Sequence, residues 1–344
     1  MARMYCGLDA GSSVCHIAVQ AEDGTLVERR EFQTSEANLI EVFERIRGEL
    51  HVHVEASELA GWVHGILRPR VARLVTSHPP ENKWISGDSQ KSDPRDALKL
   101  ADLIRRNAPV KEVYYSDSAP RRAFKMIVQH YDDLTDQESR IKFKIKAVYR
   151  QQGIRVTGDT VYAPAGRSAY LARVPMEAVR TVLQHLYQVL DQTLRTRDQA
   201  KAQMGEAAKL FPEIERLDKV PGVGFVGACQ FSAYIQNPNR FSTKRKLWRY
   251  CRLAVSHRSS DGHSLGHPRI DRSGVGRLKA MSRSAFLGAM RRKDDNLFKR
   301  CFRQSWEKSQ NQDHARLTTQ RKIVSVLRAL WRDGTDYNDD IEKG

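Results

Sequence analysis

From Met4 to Gln20 the chain reads in twos: an apolar strand carrying Asp9, a Gly11-Ser12-Ser13 turn, and a returning strand from Val14 to Val19. Leu26 to Phe32 predicts a third strand. Thr34-Ser35 then caps a helix whose apolar positions Leu39, Ile40, Phe43 and Ile46 keep helical spacing until Gly48. His51 to Glu55 alternates as a short strand, Leu59 to Leu67 reads as a helix stopped by Pro69, and Val71 to Ser77 as another strand. A loop over 79–90 leads to a helix from Pro94 to about Arg106.

Three strands, helix, strand, helix, strand, helix is the order of a ribonuclease H-like fold, a mixed sheet whose first three strands are antiparallel. A domain over 1–117 follows. Beyond it the period changes. Ile127, Leu134, Ile141 and Val148 recur every seven residues, as in a coiled-coil seam. The stretch from Gln151 to Arg173 is punctuated by Gly and Pro and predicts irregular structure. Val179, Leu183, Leu186 and Leu190 belong to a second long helix, from about Met176 to Leu210. Two long helices joined by a loop predict a coiled-coil arm over 118–212, a dimerisation or spacing device. Between shorter helices, Leu217 to Gly227 carries Pro-Gly-Val-Gly, the pattern of a helix-hairpin-helix turn, in which Gly222 and Gly224 would let backbone N–H groups approach a phosphate. A tight turn that merely packs two helices would read the same. Helices from Leu297 to Trp331 close a mainly helical region over 213–332, and the acidic end, 333–344, is expected to be mobile.

Charge sharpens this division. The chain carries a net +17, yet residues 1–115 hold 15 Lys/Arg against 17 Asp/Glu, whereas residues 240–293 hold 15 basic side chains and only two acidic ones. One half is a nearly neutral fold and the other a polyanion surface, with nucleic acid as the expected partner. Five scattered cysteines with no C-x-x-C pair point to neither a disulfide framework nor a zinc site, so a reducing cytoplasm is expected. No apolar run approaches the ~18 residues that span a bilayer. Nor does the start of the chain resemble a signal segment, so no membrane association is expected.

A carboxylate at the end of a buried strand is costly unless a cation meets it. Asp9 ends the first strand, Glu55 the fourth, and Asp93 and Asp96 open the last helix of the domain. In a ribonuclease H-like sheet the first and fourth strands are neighbours and that helix packs beside their ends, so the four acids converge. Oxygen-only ligands suit Mg²⁺, or Mn²⁺, and such ions stabilise both the attacking and leaving oxygens of a phosphodiester. Each acid also has a plainer reading. Asp93-Pro-Arg-Asp96 makes a good helix start, and Glu55 could pair with an arginine.

Gly7-Leu-Asp9, Val54-Glu55-Ala56-Ser57 and Lys91-Ser-Asp93-Pro-Arg-Asp96-Ala97 resemble the D-E-D-D motifs of insertion-sequence transposases related to the Piv DNA invertase, among them the bridge-RNA-guided recombinases. Val220-Pro-Gly-Val-Gly224, Phe241 to Leu247, Tyr250 to Ala254, Ser259-Ser260-Asp-Gly262 and Arg269 to Gly274 are similar, in order and spacing, to the C-terminal transposase domain of that family. The resemblance implies that Asp9, Glu55, Asp93 and Asp96 are metal-binding acids of a RuvC-like domain. It also implies a serine nucleophile just before a glycine. Here an aspartate intervenes, and spacing from Leu253 favours Ser260, with Ser259 next. The implied reaction joins a DNA strand end to that serine as a phosphoserine link. The implied partners are double-stranded donor and target DNA and a structured guide RNA. The implied assembly is a homo-oligomer, a dimer or dimer of dimers, at the nucleoid of a prokaryotic cell. Arg258, Arg269 and Arg272 could hold a phosphate near the hydroxyl, and Lys244, Arg245, Lys246 and Arg249, with Trp248 and Tyr250 interleaved, could grip a nucleic-acid backbone.

Three other readings remain open. A RuvC-like nuclease using water would need no serine. Gly7 to Ser13 also resembles the first phosphate loop of actin-like sugar kinases, but no second Gly-rich turn follows and the basic stretch suits no sugar. A non-catalytic nucleic-acid-binding scaffold would not need the four acids.

Overall fold

A computed structural model describes residues 2–78, 93–256, 259–260, 263–264 and 269–339. The chain divides into two compact units, Met1–Arg122 and Ala123–Gly344. Most of the first long helix and all of the second fall in the second unit, with the C-terminal region.

The first unit is a five-stranded sheet in the order β3-β2-β1-β4-β5, formed by β1 (Arg3–Ala10), β2 (Val14–Gln20), β3 (Leu26–Gln33), β4 (Glu49–Glu55) and β5 (Arg73–Ser77). The first three strands are antiparallel, and β4 and β5 run parallel to β1. This mixed α/β topology is consistent with a ribonuclease H-like sheet. Alternation decides which side chains face which layer. Cys6, Leu8, Ile17, Val52 and Val54 point to one face and pack with Leu39 and Phe43 of α1 (Glu36–Arg45) and with Val63 and Leu67 of α2 (Ala60–Leu67). Ser35 caps α1, its hydroxyl accepting from the Asn38 N–H at 3.1 Å, as its position before the apolar run predicts. Residues of opposite parity, Tyr5, Gly7 and Asp9 with His51, His53 and Glu55, face the other layer, where α3 (Asp93–Arg105) lies. The predicted loop over 79–90 lies outside the described residues.

The second unit begins along α4 (Ala119–Gln151). Its distal half packs against α6 (Glu177–Ala208) around Ile145, Tyr149, Leu183, Tyr187 and Leu190. The Tyr149 and Tyr187 hydroxyls meet at 3.0 Å and Arg197 pairs with Glu138, so partners diverge in sequence along the pair and the helices run antiparallel. The seven-residue spacing only partly marks the buried stripe. Leu134 is buried, but Ile127, Ile141 and Val148 are half-buried, while Ile145 and Tyr149 are fully enclosed. The stretch expected to be irregular contains a two-turn helix, α5 (Pro164–Leu171), because Pro164 stands at its first turn, where a missing N–H costs nothing. Arg167 on that helix grips Asp191 through two bonds of 2.7 and 2.6 Å and stacks over the Tyr187 ring.

A second core joins α7 (Glu213–Asp218), α8 (Gly224–Ile235), α9 (Lys244–Tyr250), α10 (Gly276–Arg291), α11 (Leu297–Ser309) and α12 (Gln312–Asp333). Asp132 on α4 is 2 % exposed and accepts from Gln230 Nε2 at 2.6 Å and from the Tyr234 hydroxyl at 2.8 Å, with Arg277 Nε at 3.8 Å. One carboxylate thus ties α4 to α8 and α10. The acidic end is held as far as it is described: Asp339 accepts from Tyr337 Oη at 2.6 Å and from the Leu297 N–H at 3.2 Å. No helix among the described residues is long and apolar enough to cross a membrane.

Candidate active site

The register of the sheet sets the positions of the first two acids. β1 and β4 pair in parallel with Leu8 opposite Val54, so Asp9 and Glu55, one step on, stand side by side on adjacent strands and on one face. Both are partly exposed. Asp9 is also paired across β1 and β2 with His16.

The third element comes from close packing. Tyr5 packs with Ile104, and a Cβ at Gly7 would lie 1.9 Å from the Ala97 carbonyl oxygen and 2.5 Å from the Ala101 nitrogen. Moving along β1 from Tyr5 to Gly7 therefore moves back along α3 from Ile104 to Ala97. Four strand residues cover ~13 Å, and the eight helical residues from Ile104 back to Asp96 cover ~12 Å. The acidic first turn of α3 is thus carried toward the strand ends that hold Asp9 and Glu55. His53 fixes the helix laterally. Its Nδ1–H donates to the Leu100 carbonyl at 3.1 Å, and Nε2 accepts from the Ser77 hydroxyl at 2.7 Å. Burial pushes this imidazole down to about 4, so it stays neutral and keeps that tautomer. The sequence reading missed both Gly7 and His53. A glycine inside an apolar strand is the signal that another backbone approaches there.

Asp96 Oδ1 is buried, accepts no hydrogen bond, and lies 3.5 Å from Lys99 Nζ. The Lys99 ammonium already offsets its charge, and a bound cation would supply the direct contact that this oxygen lacks. The donors here are carboxylate oxygens, the chemistry a hard divalent ion prefers. Among the described residues no three His, Cys, Asp or Glu side chains converge closely enough to hold a metal ion, and the Asp93 side chain lies outside them. The described residues therefore bring Asp9 and Glu55 together and Asp96 toward the same end of the sheet, without closing a cage.

In the second unit, two strand pairs frame the serines. β6 (Val255–Ser256) pairs with β9 (Arg269–Ile270), and β7 (Ser259–Ser260) with β8 (His263–Ser264), Ser260 standing opposite His263. Ser259 and Ser260 lie in a short strand, and the sequence Asp261-Gly262 just after them is a good hairpin pair. Arg258 lies outside the described residues. Arg269 and Arg272 are exposed, as are Lys244, Arg245 and Lys246 on α9. Arg249 is exposed too, but it is engaged with Asp271 at 2.9 Å. Trp248 and Tyr250 turn inward: the indole N–H donates to Ser325 Oγ at 2.9 Å and the phenol to the Tyr234 carbonyl at 3.1 Å. They anchor α9 and are not free to stack on bases. At Gly222 (φ +82°) a Cβ would sit 2.1 Å from the Ala285 carbonyl oxygen, so packing against α10 alone accounts for glycine there. Gly224 (φ +64°) has open space around it.

No curated protein matches the chain. Two family models do. A transposase model of the DEDD type from the IS110 family matches residues 6–152, a stretch that holds Asp9, Glu55, Asp93 and Asp96. A second, for transposases of the IS116/IS110/IS902 family, matches residues 214–301, which hold the Pro-Gly-Val-Gly turn, the serine hairpin and the basic segment. The two stretches lie in the expected order and together span about two thirds of the chain, with the strand-end acids in one and the polyanion surface in the other, and the chain belongs to the IS110 family of insertion-sequence DNA transposases.

Proposed function

We propose that this transposase is an RNA-guided DNA recombinase in which Asp9, Glu55, Asp93 and Asp96 hold Mg²⁺, or Mn²⁺, and Ser260 is the nucleophile, with Ser259 the second choice. The single observation behind the acid site is the side-by-side register of Asp9 and Glu55 on the face that α3 covers, with an unsatisfied Asp96 oxygen at its acidic end. A divalent ion bound there would withdraw charge from the non-bridging oxygens of a scissile phosphate. The serine oxygen attacks phosphorus and gives up its proton to a nearby carboxylate. A serine–phosphate bond forms as the bond to the departing sugar oxygen breaks, and that oxygen takes up a proton from water and leaves as a hydroxyl. Because one phosphoester replaces another, a second strand's hydroxyl can reverse the step without external energy.

The exposed cations of α9, with Arg258, Arg269 and Arg272, would carry donor and target DNA and a structured guide RNA. Acids of one copy would act with the serine of another in a dimer or dimer of dimers at the nucleoid. The test is to incubate protein, copurifying RNA and paired DNA sites with magnesium and look for a covalent protein–DNA adduct. Ser260→Ala should abolish it and Ser259→Ala should not. Strand cleavage with no adduct in the wild type would replace the serine by water and make the protein a RuvC-like nuclease. Sequencing the copurified RNA tests the guide: a discrete folded transcript is expected, and random cellular RNA would count against guidance.

A further inference from the structure

Between the β6–β9 strand pair and helices α10 and α12 is a cleft of about 670 Å³ that the reaction above does not use. One wall is the cross-strand pair Val255 and Ile270, a small apolar plate in which Ile270 is 40 % exposed. A second wall is α10, from which Lys279 and Arg283 project one turn apart on one helix face. The third is the first half of α12, with Arg316, Leu317, Gln320 and Arg321.

The polar groups here differ in how far the protein itself uses them. Arg321 is occupied, donating to the Leu253 carbonyl at 2.8 Å and stacking over the Trp248 ring. Arg316 is paired with Asp313, the only carboxylate among the described residues that line the cleft, at 2.6 Å. Lys279 and Arg283 have no ion pair or side-chain hydrogen bond among the described residues. Gln320 is 5 % exposed, lines the cleft, and its amide likewise has no partner among the described residues. The amide atoms remain in reach of solvent through the cleft, so their donors and acceptor are available to whatever enters. An apolar plate, an amide with both donors and an acceptor, and two lining cations without an ion pair among the described residues match the parts of one nucleotide: base face, base edge and flanking phosphates. The volume suits a single nucleotide and not a duplex.

We propose that this cleft receives one unpaired deoxynucleotide next to the DNA strand that is cut. The base lies on Val255, Ile270 and Leu317, Gln320 hydrogen-bonds its edge, and Lys279 and Arg283 hold the adjoining phosphates. Val255 precedes Ser260 by five residues, at most ~17 Å of extended chain, so the captured nucleotide would fix the strand close to the attacking hydroxyl. The choice of DNA over RNA rests on the recombinase reading of the neighbouring serine.

The test irradiates the full chain with an eight-residue oligothymidylate carrying one 4-thiothymidine and maps the crosslinked peptides. Crosslinks are expected in 311–321 and in the segments around Val255 or Ile270. Lys279→Ala with Arg283→Ala should lower their yield at least fivefold, leaving crosslinks elsewhere unchanged. Gln320→Met, which keeps the shape of a buried side chain, should lower it about threefold, and an abasic octamer should fail to compete. Melting temperatures equal to wild type would show that the variants are folded. Crosslinks that avoid the cleft, or yields unmoved by either substitution, would overturn the proposal, as would equal filling by the 4-thiouridine ribo-octamer. Irradiation needs no strand cleavage, so a cleft that passes in a protein forming no adduct would remove the serine chemistry and leave the nucleotide site standing.

Discussion

The two units build their functional surfaces by opposite means. In the first, hydrogen-bonded register places Asp9 beside Glu55, and a glycine contact brings the first turn of α3 toward them. The groups are few, acidic and set within ångströms by the backbone. In the second, the cations stand on separate helices and strands whose relation depends on side-chain packing around one core. Backbone pairing suits chemistry that needs several carboxylates at one point, which repel unless held. A distributed basic surface suits a long polyanion, whose many phosphates tolerate small displacements.

Substitutions can break this comparison, and the largest effect should come at the acid site. If Asp9 holds the proposed metal, Asp9→Ala should reduce strand transfer roughly a thousandfold while leaving the denaturation midpoint near wild type. A large change in midpoint would make Asp9 a structural residue. Gly7→Ala should do the reverse, destabilising the first unit by about 3 kcal/mol or more through the clash with Ala97 and Ala101, measured by urea unfolding.

In the second unit Asp132→Ala should cost about 3 kcal/mol, because Gln230, Tyr234 and Arg277 lose a shared buried acceptor. The pH dependence sharpens this point. Burial raises the Asp132 pKa above its ordinary 3.8, against the pull of its hydrogen bonds and Arg277. The folded state therefore takes up this proton at a higher pH than the unfolded chain. The group's contribution to stability rises as pH falls from its folded pKa toward 3.8 and is flat below. Asp132→Asn should remove that rise, read as the difference between the two stability–pH curves. The smallest effect should come from α9: Arg245→Ala with Lys246→Ala should flatten the dependence of log affinity on log salt by about 1 to 2, with stability unchanged. An unchanged slope would move the nucleic-acid surface elsewhere.

How much of this was legible varies with how local the cause is. The alternation of β1 and β4 gave the parity of Asp9 and Glu55, and Ser35 gave the start of α1. Pro164 misled because proline marks both a break and a first helical turn. Trp248 and Tyr250 read as surface aromatics because their basic neighbours are exposed, yet their partners, Ser325 and Tyr234, are distant in sequence.

The sequence by itself determined the strand and helix order of the first unit and the division into a neutral and a basic half, and it supplied the four acids and the serine pair as candidates, because periodicity and composition are local properties. Only tertiary structure decided that Gly7 must be glycine, that His53 stays neutral beneath α3, and that Gln320 meets Lys279 and Ile270 around one cleft. The reason is physical: close approach, desolvation and cavity shape are set by residues far apart in the chain, and no spacing within a segment encodes them.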